Sequence, residues 1–359
     1  MWIKNISIEN CRLLKSISLD LSPDLNIILG PNASGKTSLL ESLTLLSKGR
    51  SFRTSHIREV ISKNEDEILV AAEIVDRNST SRIGIKKSKT KTTIRINKKD
   101  IYSQAELSSF LPITVIHPNS IELITGSPSI RRSFIDWIAF YKYPDFHNHW
   151  KQYQHVLKQR NMCLKSHKHS FSLDKWTEQL IQLQPIIVKY RNDVIAHIQP
   201  FLQNISESLL KNKNIEIQLE NGFPDDVKIE PDNLMNFYNS KKEYDFKIKR
   251  TSYGSHRADL KILLNGTPAV QSASRGQLKL LTICLLLAQN SCISDTDINN
   301  GILLIDDLAA ELDTTNKKLL LNYLSKLQKQ LIITSTNEIH IENITSKVFH
   351  VKHGEIYSK

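Results

Sequence analysis

The sequence predicts an α/β protein in which a sheet domain is split by an inserted, mostly helical lobe. Residues 25–29 (LNIIL) form a short apolar run between Pro23 and Gly30, which is typical of a strand buried on both faces. Residues from about 120 to 240 contain almost no glycine, and their apolar residues recur at helical spacing. Short apolar strands return at 301–305 and 331–334, so the sheet domain resumes after the insertion.

The elements of the first part follow from the period of their apolar residues. Ile17, Leu19 and Leu21 alternate with a period of two, which indicates a strand near the start of the chain. From Lys36 the apolar residues follow the helical period, so the order there is strand, glycine-bearing loop and helix. Further strands are expected at 68–75, 82–85, 92–97 and 113–117.

We therefore divide the chain into three parts. Residues 1–119 form the N-terminal part of the sheet domain, residues 120–243 the helical lobe, and residues 244–359 the C-terminal part of the sheet domain. Sustained heptads are missing from the lobe, which excludes a long coiled-coil arm. A chain of 359 residues is long enough for two or three domains.

The composition indicates the cellular environment of the protein and the chemistry of its partners. Lys and Arg number 48 against 37 Asp and Glu, and the resulting net charge of +11 favours a polyanionic partner. The four cysteines are far apart and form no CxxC pair, as expected for reduced thiols. The start of the chain lacks the apolar region of a signal peptide, and the longest apolar run, 280–288, is too short to span a membrane. We expect a cytoplasmic protein without membrane contact.

A phosphate-binding motif lies between the first buried strand and its helix. Residues 30–37 match GxxxxGK[ST] at every fixed position. The loop residues are Gly30, Pro31, Asn32, Ala33, Ser34, Gly35, Lys36 and Thr37. The backbone N–H groups are expected to wrap the phosphates of ATP, with Lys36 at the β- and γ-phosphates and the Thr37 hydroxyl on Mg²⁺. The alternative, a turn that happens to hold a lysine, does not explain the flanking strand and helix.

An apolar strand that ends in two acids supplies the partner of this loop. In residues 301–307 (GILLIDD), Asp306 is expected to hold Mg²⁺ and Asp307 to polarise the attacking water. Aspartate is one methylene shorter than glutamate, so we expect slow hydrolysis. The alternative is a pair of helix N-cap residues after a core strand. Asp313 also fits an N-cap, for a helix that begins near residue 314.

A second helix start with the chemistry of an anion site follows the lobe. Residues 272–277 (SASRGQ) precede a helix expected at 278–289, and they place the Ser274 hydroxyl and the Gly276 amide at its N-terminus, next to Gln277. The chain thus has two helix N-termini suited to binding phosphate but one acid pair, and a dimer is the arrangement that best uses both. Ser274 and Gly276 of one protomer would then complete the γ-phosphate site of the other. An ordinary serine-capped helix is the alternative.

The order and spacing of several motifs resemble the RecF family of SMC- and Rad50-like bacterial recombination proteins over nearly the whole chain. The segments are GPNASGKTSLLESL at 30–43, KGRSFR at 48–53, SPSIRRSFIDW at 127–137, YGSHRADLKILLNG at 253–266, SRGQLKLL at 274–281 and LLIDDLAAELD at 303–313. The resemblance implies an ABC-type P-loop ATPase head that dimerises on ATP. It further implies a slow, DNA-stimulated ATPase used as a switch, which binds single-stranded and duplex DNA at gaps. With RecR and RecO, such a protein promotes RecA loading in DNA replication, repair and the SOS response.

The chain departs from the pattern of ABC-type heads at two places. The glutamine that these heads place after a central strand is missing near residues 113–120, which leaves His117 or Asn119 as substitutes. The histidine expected after the strand at 331–334 is also missing, and Ser335 and Thr336 stand there. The sequence therefore does not identify which residues sense the γ-phosphate.

Other features allow two interpretations each. The basic hairpin at 86–99 suits a phosphate-backbone contact or a solvated strand pair. Residues 97–100 (NKKD) match a guanine-recognition motif, but a hairpin turn fits their position better. Arg131 and Arg132 suit contacts with DNA or a partner, or pairing with carboxylates such as Asp136. No role follows from the sequence for His256 and Arg257.

Two other functions use the same phosphate loop. The ATPase subunit of an ABC transporter is the main alternative, although it usually carries the missing glutamine. A small-molecule kinase is the third candidate, and it has no need of Ser274 and Gly276.

Overall fold

The computed structural model describes residues 1–77, 79–166, 170–211, 213–294, 301–307, 312–341 and 344–358. Its architecture is mixed α/β, as the sequence predicts. Two compact units divide the chain: the first comprises 1–120, 207–211 and 275–359, and the second comprises 121–206 and 212–274. The inserted lobe predicted from the sequence is therefore present, within a head that is split in the chain.

An antiparallel sheet in the first unit is built from residues near the N-terminus. Its strands lie in the order β2-β1-β4-β5-β6-β7. They are β1 (Trp2–Cys11), β2 (Leu14–Asp20), β4 (Glu67–Asp76), β5 (Ser79–Ser88), β6 (Thr92–Ile96) and β7 (Lys99–Ile101). Successive side chains of a strand point to opposite faces of the sheet; in β4, Ile68, Val70 and Ala72 point into the core. The strands expected at 68–75, 82–85 and 92–97 are confirmed.

A second sheet in the same unit is largely parallel and carries the phosphate loop. Its order is β15-β14-β3-β13-β12-β8, and only β15 runs antiparallel to its neighbour. The strands are β3 (Leu25–Leu29), β8 (Ile113–Ile116), β12 (Ile302–Ile305), β13 (Leu331–Ser335), β14 (Ser346–Lys352) and β15 (Glu355–Ser358). Every residue of β3, β12 and β13 is buried, because the sheet is covered on both faces.

The helices of the first unit pack on these sheets. They are α1 (Lys36–Lys48), α2 (Gln104–Phe110), α9 (Arg275–Ser294) and α10 (Thr314–Leu324). Leu39, Leu40 and Leu43 of α1 share one apolar core with residues of both sheets. By length and composition α9 could cross a membrane, but most of it is buried inside the protein, as in a core helix.

The second unit is mostly helical and holds a small sheet. Its helices are α3 (Glu122–Thr125), α4 (Pro128–Lys142), α5 (Phe146–Ser166), α6 (Ser170–Leu209, up to Ser206), α7 (Pro231–Ile248) and α8 (Ala269–Ser272). The sheet has the order β11-β10-β9, with β9 (Ile215–Glu220), β10 (Asp259–Leu264) and β11 (Thr267–Pro268). Pro185 and Pro200 lie inside α6.

The second unit extends further along the chain than the predicted boundary at 243. Residues 244–274 belong to it rather than to the sheet domain. Two contacts explain this difference. β10 pairs with β9 from Asp259↔Glu220 to Leu264↔Ile215. The buried Arg160 of α5 also donates to Asp245 Oδ2 over 2.8 Å, which ties the end of α7 to the lobe.

Candidate nucleotide site

The phosphate loop turns sharply between β3 and α1. Ala33 and Gly35 have left-handed backbones, with φ of 61° and 118°, and Gly35 caps the N-terminus of α1. At Gly30 a Cβ atom would lie 2.4 Å from the backbone oxygen of Val351, so only glycine fits there. Both fixed glycines of the motif thus have a steric reason, and the loop presents its backbone at the start of a helix.

The polar side chains of the loop are folded back onto it. Lys36 Nζ donates to the carbonyl oxygens of Gly30 and Pro31 over 2.7 Å and 2.9 Å. Burial lowers the pKa of Lys36, while the nearby carboxylates of Asp307 and Asp306 act in the opposite direction. The hydroxyl of Ser34 is buried and has no hydrogen-bond partner within the described part of the chain. A bound phosphate would supply acceptors for these donors.

Thr37 and Asp306 meet at the carboxyl end of β12. Thr37 Oγ1 lies 3.1 Å from each carboxylate oxygen of Asp306. Burial is the main cause of a raised pKa at Asp306, and hydrogen bonds from Thr334 and Thr37 oppose it. A hydroxyl and a carboxylate from two elements are the oxygen donors that Mg²⁺ prefers, and a cation there would favour the ionised carboxylate. The donor set therefore fits Mg²⁺.

Asp307 is held in an unusual backbone conformation beside this pair. Its φ is 50°, and its N–H donates to Thr334 Oγ1 over 2.8 Å. Its Oδ1 is buried and has no hydrogen-bond partner among the residues that the structure describes. An acceptor held without a partner can bind a water molecule, which is the chemistry that the sequence predicts for Asp307.

Thr334 is a residue of the site that the sequence did not reveal. Its hydroxyl donates to Asp306 Oδ1 over 2.7 Å and accepts the N–H of Asp307, so one side chain fixes both acids. Thr334 lies near the end of β13, which pairs with β12 in parallel. Neighbouring parallel strands bring their carboxyl ends to the same edge of a sheet, and this rule could have indicated Thr334.

His117 follows the edge strand β8 on the other side of β12. The N–H of Asp306 donates to the oxygen of Ile116, so the end of β8 adjoins the acid pair. The ring of His117 packs on Phe52 with 4.9 Å between centroids. Burial, together with the charges of Lys48 and Arg53, lowers the pKa of His117 to about 4, so this side chain is neutral at pH 7.

The other substitutes suggested by the sequence are more exposed or serve local turns. Asn119 is exposed in the short helix Pro118–Ile121. Ser335 is buried at the end of β13, where its Oγ accepts the N–H of Asn337, and Thr336 is exposed. Of these residues, His117 is the one that adjoins the acids; its part in sensing the γ-phosphate stays a prediction.

A buried carboxylate on α1 orders the loop that follows this helix. Glu41 is fully buried and forms a two-pronged ion pair with Arg12, with 2.9 Å between Nη2 and Oε1. It also accepts from Ser51 Oγ, whose oxygen accepts the N–H of Arg53 over 2.9 Å. The positive charge of Arg53 lowers the pKa of Asp306 in turn. The KGRSFR segment is thereby linked to the acid pair.

The second predicted anion site lies at an exposed helix start. Helix α9 begins at Arg275, three residues earlier than predicted. Ser274 and Gly276 are exposed and Gln277 is half-buried. A Cβ at Gly276 would meet no atom within 4 Å, so space is open in front of this turn. The contribution of these three residues to a phosphate site stays a prediction.

The remaining sequence-based expectations have mixed outcomes. Asp313 caps α10, since its side chain accepts the N–H of Asn316. Residues 308–311 of the LLIDDLAAELD segment lie outside the described residues. Asn97 and Lys98, with φ of 50° and 70°, form the turn between β6 and β7, as expected for a hairpin. No described contact gives them a part in a nucleotide site.

Arg131 pairs with a carboxylate, as one interpretation of the sequence predicts, but this carboxylate is Asp259 rather than Asp136. Arg131 pairs with Asp259 over 2.6 Å, and Arg132 donates to the oxygen of Ala258 over 2.6 Å. Asp136 instead pairs with Arg191, because α4 turns this carboxylate toward α6.

His256 has a structural environment in the lobe. It is hydrogen-bonded to Tyr153 and to the Thr251 oxygen, and burial lowers its pKa to about 4.

The fold and the site together define a class. A parallel sheet whose first strand runs into a phosphate loop, with acids at the carboxyl end of a neighbouring strand, is the head of a P-loop ATPase. The family described as RecF/RecN/SMC N terminal domain matches residues 2–357. The chain belongs to this family, and its relatives place it in the RecF branch.

Those relatives match over the full length. The DNA replication and repair proteins RecF of Hydrogenovibrio crunogenus and Aliivibrio fischeri are each 34% identical to this chain and are covered over 98% and 99% of their lengths, with 99% of this chain aligned in each case. Among solved structures, the recombination mediator protein RecF with ATP, from the RecFOR pathway, is 28% identical and has a TM-score of 0.89 over 100% of this chain and 97% of its own. An Smc head bound to the C-winged helix domain of ScpA has a TM-score of 0.58 at 15% identity over 100% of this chain and 98% of its own, which supports the fold alone.

Proposed function

We propose that the protein is an ATP-dependent DNA-binding protein of recombinational repair that works as a switch. The observation that carries this proposal is the joining of Lys36, Thr37, Asp306 and Asp307 in one site. ATP would lie on the phosphate loop, and Thr37 and Asp306 would hold Mg²⁺, which supplies charge neutralisation at the phosphates. The similarity to a RecF structure with ATP supports the choice of nucleotide.

Hydrolysis is expected to be slow. Asp307 would orient the attacking water with its Oδ1, which has no hydrogen-bond partner among the described residues, while Thr334 holds its backbone. Because the carboxylate of aspartate reaches less far than that of glutamate, it positions this water less well. A slow ATPase keeps the bound state long enough to act on DNA, and stimulation by DNA would time its release.

ATP-dependent dimerisation is the second part of the proposal. The exposed turn with Ser274, Gly276 and Gln277 would contact the γ-phosphate bound to the partner protomer. A ligand shifts an equilibrium only through its different affinity for the two states, and the turn with Ser274 would supply that difference. ATP would therefore bind the joined heads better than a single head.

DNA is the proposed partner of the joined heads. The net charge of +11 supports contacts with the phosphate backbone of single-stranded and duplex DNA, which release counterions and weaken with salt. We propose that the protein acts in the cytoplasm at DNA gaps, and its similarity to proteins named for DNA replication and repair and for the RecFOR pathway supports a role in repair. There it would act with RecR and RecO to load RecA and support the SOS response.

Mass measurement in solution tests the switch. Multi-angle light scattering with ATP, with ADP and without nucleotide should show a dimer with ATP alone. The variant Lys36→Ala should lose nucleotide binding, because it removes the charge at the phosphates.

A second variant separates binding from dimerisation. Ser274→Arg should still bind ATP and remain a monomer, because a larger cation replaces the hydroxyl at the proposed contact. A Ser274→Arg protein that dimerises as the wild type does would contradict the sandwiched nucleotide, whereas a small-molecule kinase predicts no ATP-specific dimer of this kind.

A further inference from the structure

The outer face of the antiparallel sheet carries a groove of about 490 Å³. Strands β4, β5 and β6 form it, all within the first unit. The residues that matter for its chemistry are Gly84, Lys86, Ser88, Lys91, Thr93 and Arg95, together with Glu67 at one edge.

Strand geometry brings these side chains to one face. In β5, Ile83 and Ile85 are buried, so Gly84 and Lys86 point to the opposite face. The register places Gly84 opposite Arg95 and Lys86 opposite Thr93. Because Gly84 has no side chain, the surface is lower at this position than at the long cationic side chains of Lys86 and Arg95. The groove thus lies where Gly84 has no side chain, beside Lys86 and Arg95.

The charge of this region is strongly one-sided. Residues 79–99 contain eight Lys and Arg and no Asp or Glu, in a chain with a net charge of +11. Lys86 pairs with Glu67 over 2.5 Å and Arg95 with Asp100 over 2.7 Å, but all four side chains are about half exposed, so these pairs are weak in water. Lys91 is exposed. Phosphates can therefore compete for all three cations of the groove.

The lining also indicates which polyanion fits. Sites for single-stranded nucleic acid combine positive charge with aromatic rings on which bases stack, and no aromatic side chain is among the described residues that line this groove. Lys, Arg, Ser and Thr side chains are the usual donors to the phosphates of duplex DNA. We infer that this groove holds the phosphate backbone of duplex DNA. The inference rests on the proposed DNA-binding function and assigns it a surface.

Gly84 offers a steric test that leaves charge unchanged. A Cβ at this position would lie 3.7 Å from Ala71 Cβ and 3.8 Å from the Val70 oxygen, which is ordinary contact. A side chain is therefore accommodated in the strand and projects into the groove. Tyrosine suits a β-strand, so Gly84→Tyr should fill the groove and keep the fold.

The experiment compares three variants of the full chain by fluorescence anisotropy, with duplex DNA, ATP and Mg²⁺ at several salt concentrations. Gly84→Tyr fills the groove. Lys91→Gln with Arg95→Gln removes two of its charges, and Lys318→Gln with Lys326→Gln removes two exposed charges elsewhere as the matched control. Circular dichroism and ATP binding, which the groove does not affect, verify that each variant is folded.

The inference predicts different results for the groove and the control. Losing two phosphate contacts should lower the salt slope by about 2 and the affinity at 0.1 M salt by up to roughly 60-fold, and Gly84→Tyr should lower the affinity by roughly tenfold. The control should bind within about twofold of the wild type. If the wild type binds DNA and the groove variants lose no more affinity than the control, this inference is wrong, while the proposed function still stands.

Other outcomes are equally decisive. If the groove variants lose binding to single strands but not to duplex, the assignment to duplex is wrong. A loss of binding to an acidic protein alone would also overturn it. If the wild type does not bind DNA, the proposed function itself fails.

Discussion

Thr334→Val is the perturbation that most directly tests how the acid pair is held. The Thr334 side chain is fully buried, donates to Asp306 Oδ1 over 2.7 Å and accepts the N–H of Asp307 over 2.8 Å. Valine has a similar shape and no hydroxyl. The substitution therefore removes both hydrogen bonds and leaves the packing nearly intact.

The magnitude follows from the two lost bonds. A buried N–H without an acceptor costs about 1 to 3 kcal/mol, and a hydrogen bond to a charged group contributes about 1.5 to 3 kcal/mol. We expect Thr334→Val to lower the free energy of unfolding by roughly 3 to 5 kcal/mol. Thr334→Ser keeps the hydroxyl and should cost about 1 kcal/mol for the methyl group. The valine variant should also raise the pKa of Asp306 further, since the Thr334 hydrogen bond lowers it.

Urea unfolding at pH 7, followed by circular dichroism, measures the stability of both variants. Calorimetric titration with ATP, with and without Mg²⁺, measures the effect on the site. Magnesium should strengthen ATP binding less in Thr334→Val than in Thr334→Ser, because Asp306 loses a partner that favours its ionised form. Equal stabilities of the valine and serine variants would refute this account of the acid pair.

Two further predictions concern the same unit. The pKa of His117 is lowered to about 4 in the folded protein, whereas in the unfolded chain it is near 6.5. Between these two values the unfolded chain binds a proton that the folded protein does not bind. The free energy of unfolding should therefore fall by up to about 3 kcal/mol as the pH drops from 6.5 to 4. His117→Asn should reduce this pH dependence in unfolding experiments, and an unchanged slope would speak against it. Gly30→Ala should cost about 1 to 3 kcal/mol and weaken ATP binding, because its Cβ would meet the Val351 oxygen at 2.4 Å. Gly276→Ala, with open space around it, is the stability control for Gly30→Ala and should not destabilise the chain.

The parts of the site that the sequence predicts are those with a local signal. Gly30, Lys36 and Thr37 belong to one motif between a strand and a helix, and Asp306 ends an apolar run. Glu41 carries no such signal, because its partner Arg12 lies 29 positions away and nothing in their spacing joins them. Pairing across a fold depends on tertiary packing, which single positions do not encode.

The same limit explains the misplaced boundary of the lobe. The strand character of 259–264 is visible in the sequence, but the sequence does not state which strand it joins. Short strands with alternating patterns can pair with many edges, and here β9 is the partner. Arg131 likewise pairs with Asp259, 128 positions away, rather than with a carboxylate on its own helix.

The strand order of the parallel sheet has a consequence for biosynthesis. β3, which leads into the phosphate loop, is flanked by β13 and β14, so its neighbours leave the ribosome about 300 residues later, or roughly 15 to 60 seconds at ordinary rates of translation. Until then five consecutive residues, four of them apolar, lack both of their sheet partners. A nascent chain must keep this segment from aggregating. A protein truncated before residue 331 would contain the phosphate motif but would lack β13 and β14, the two strands that flank β3.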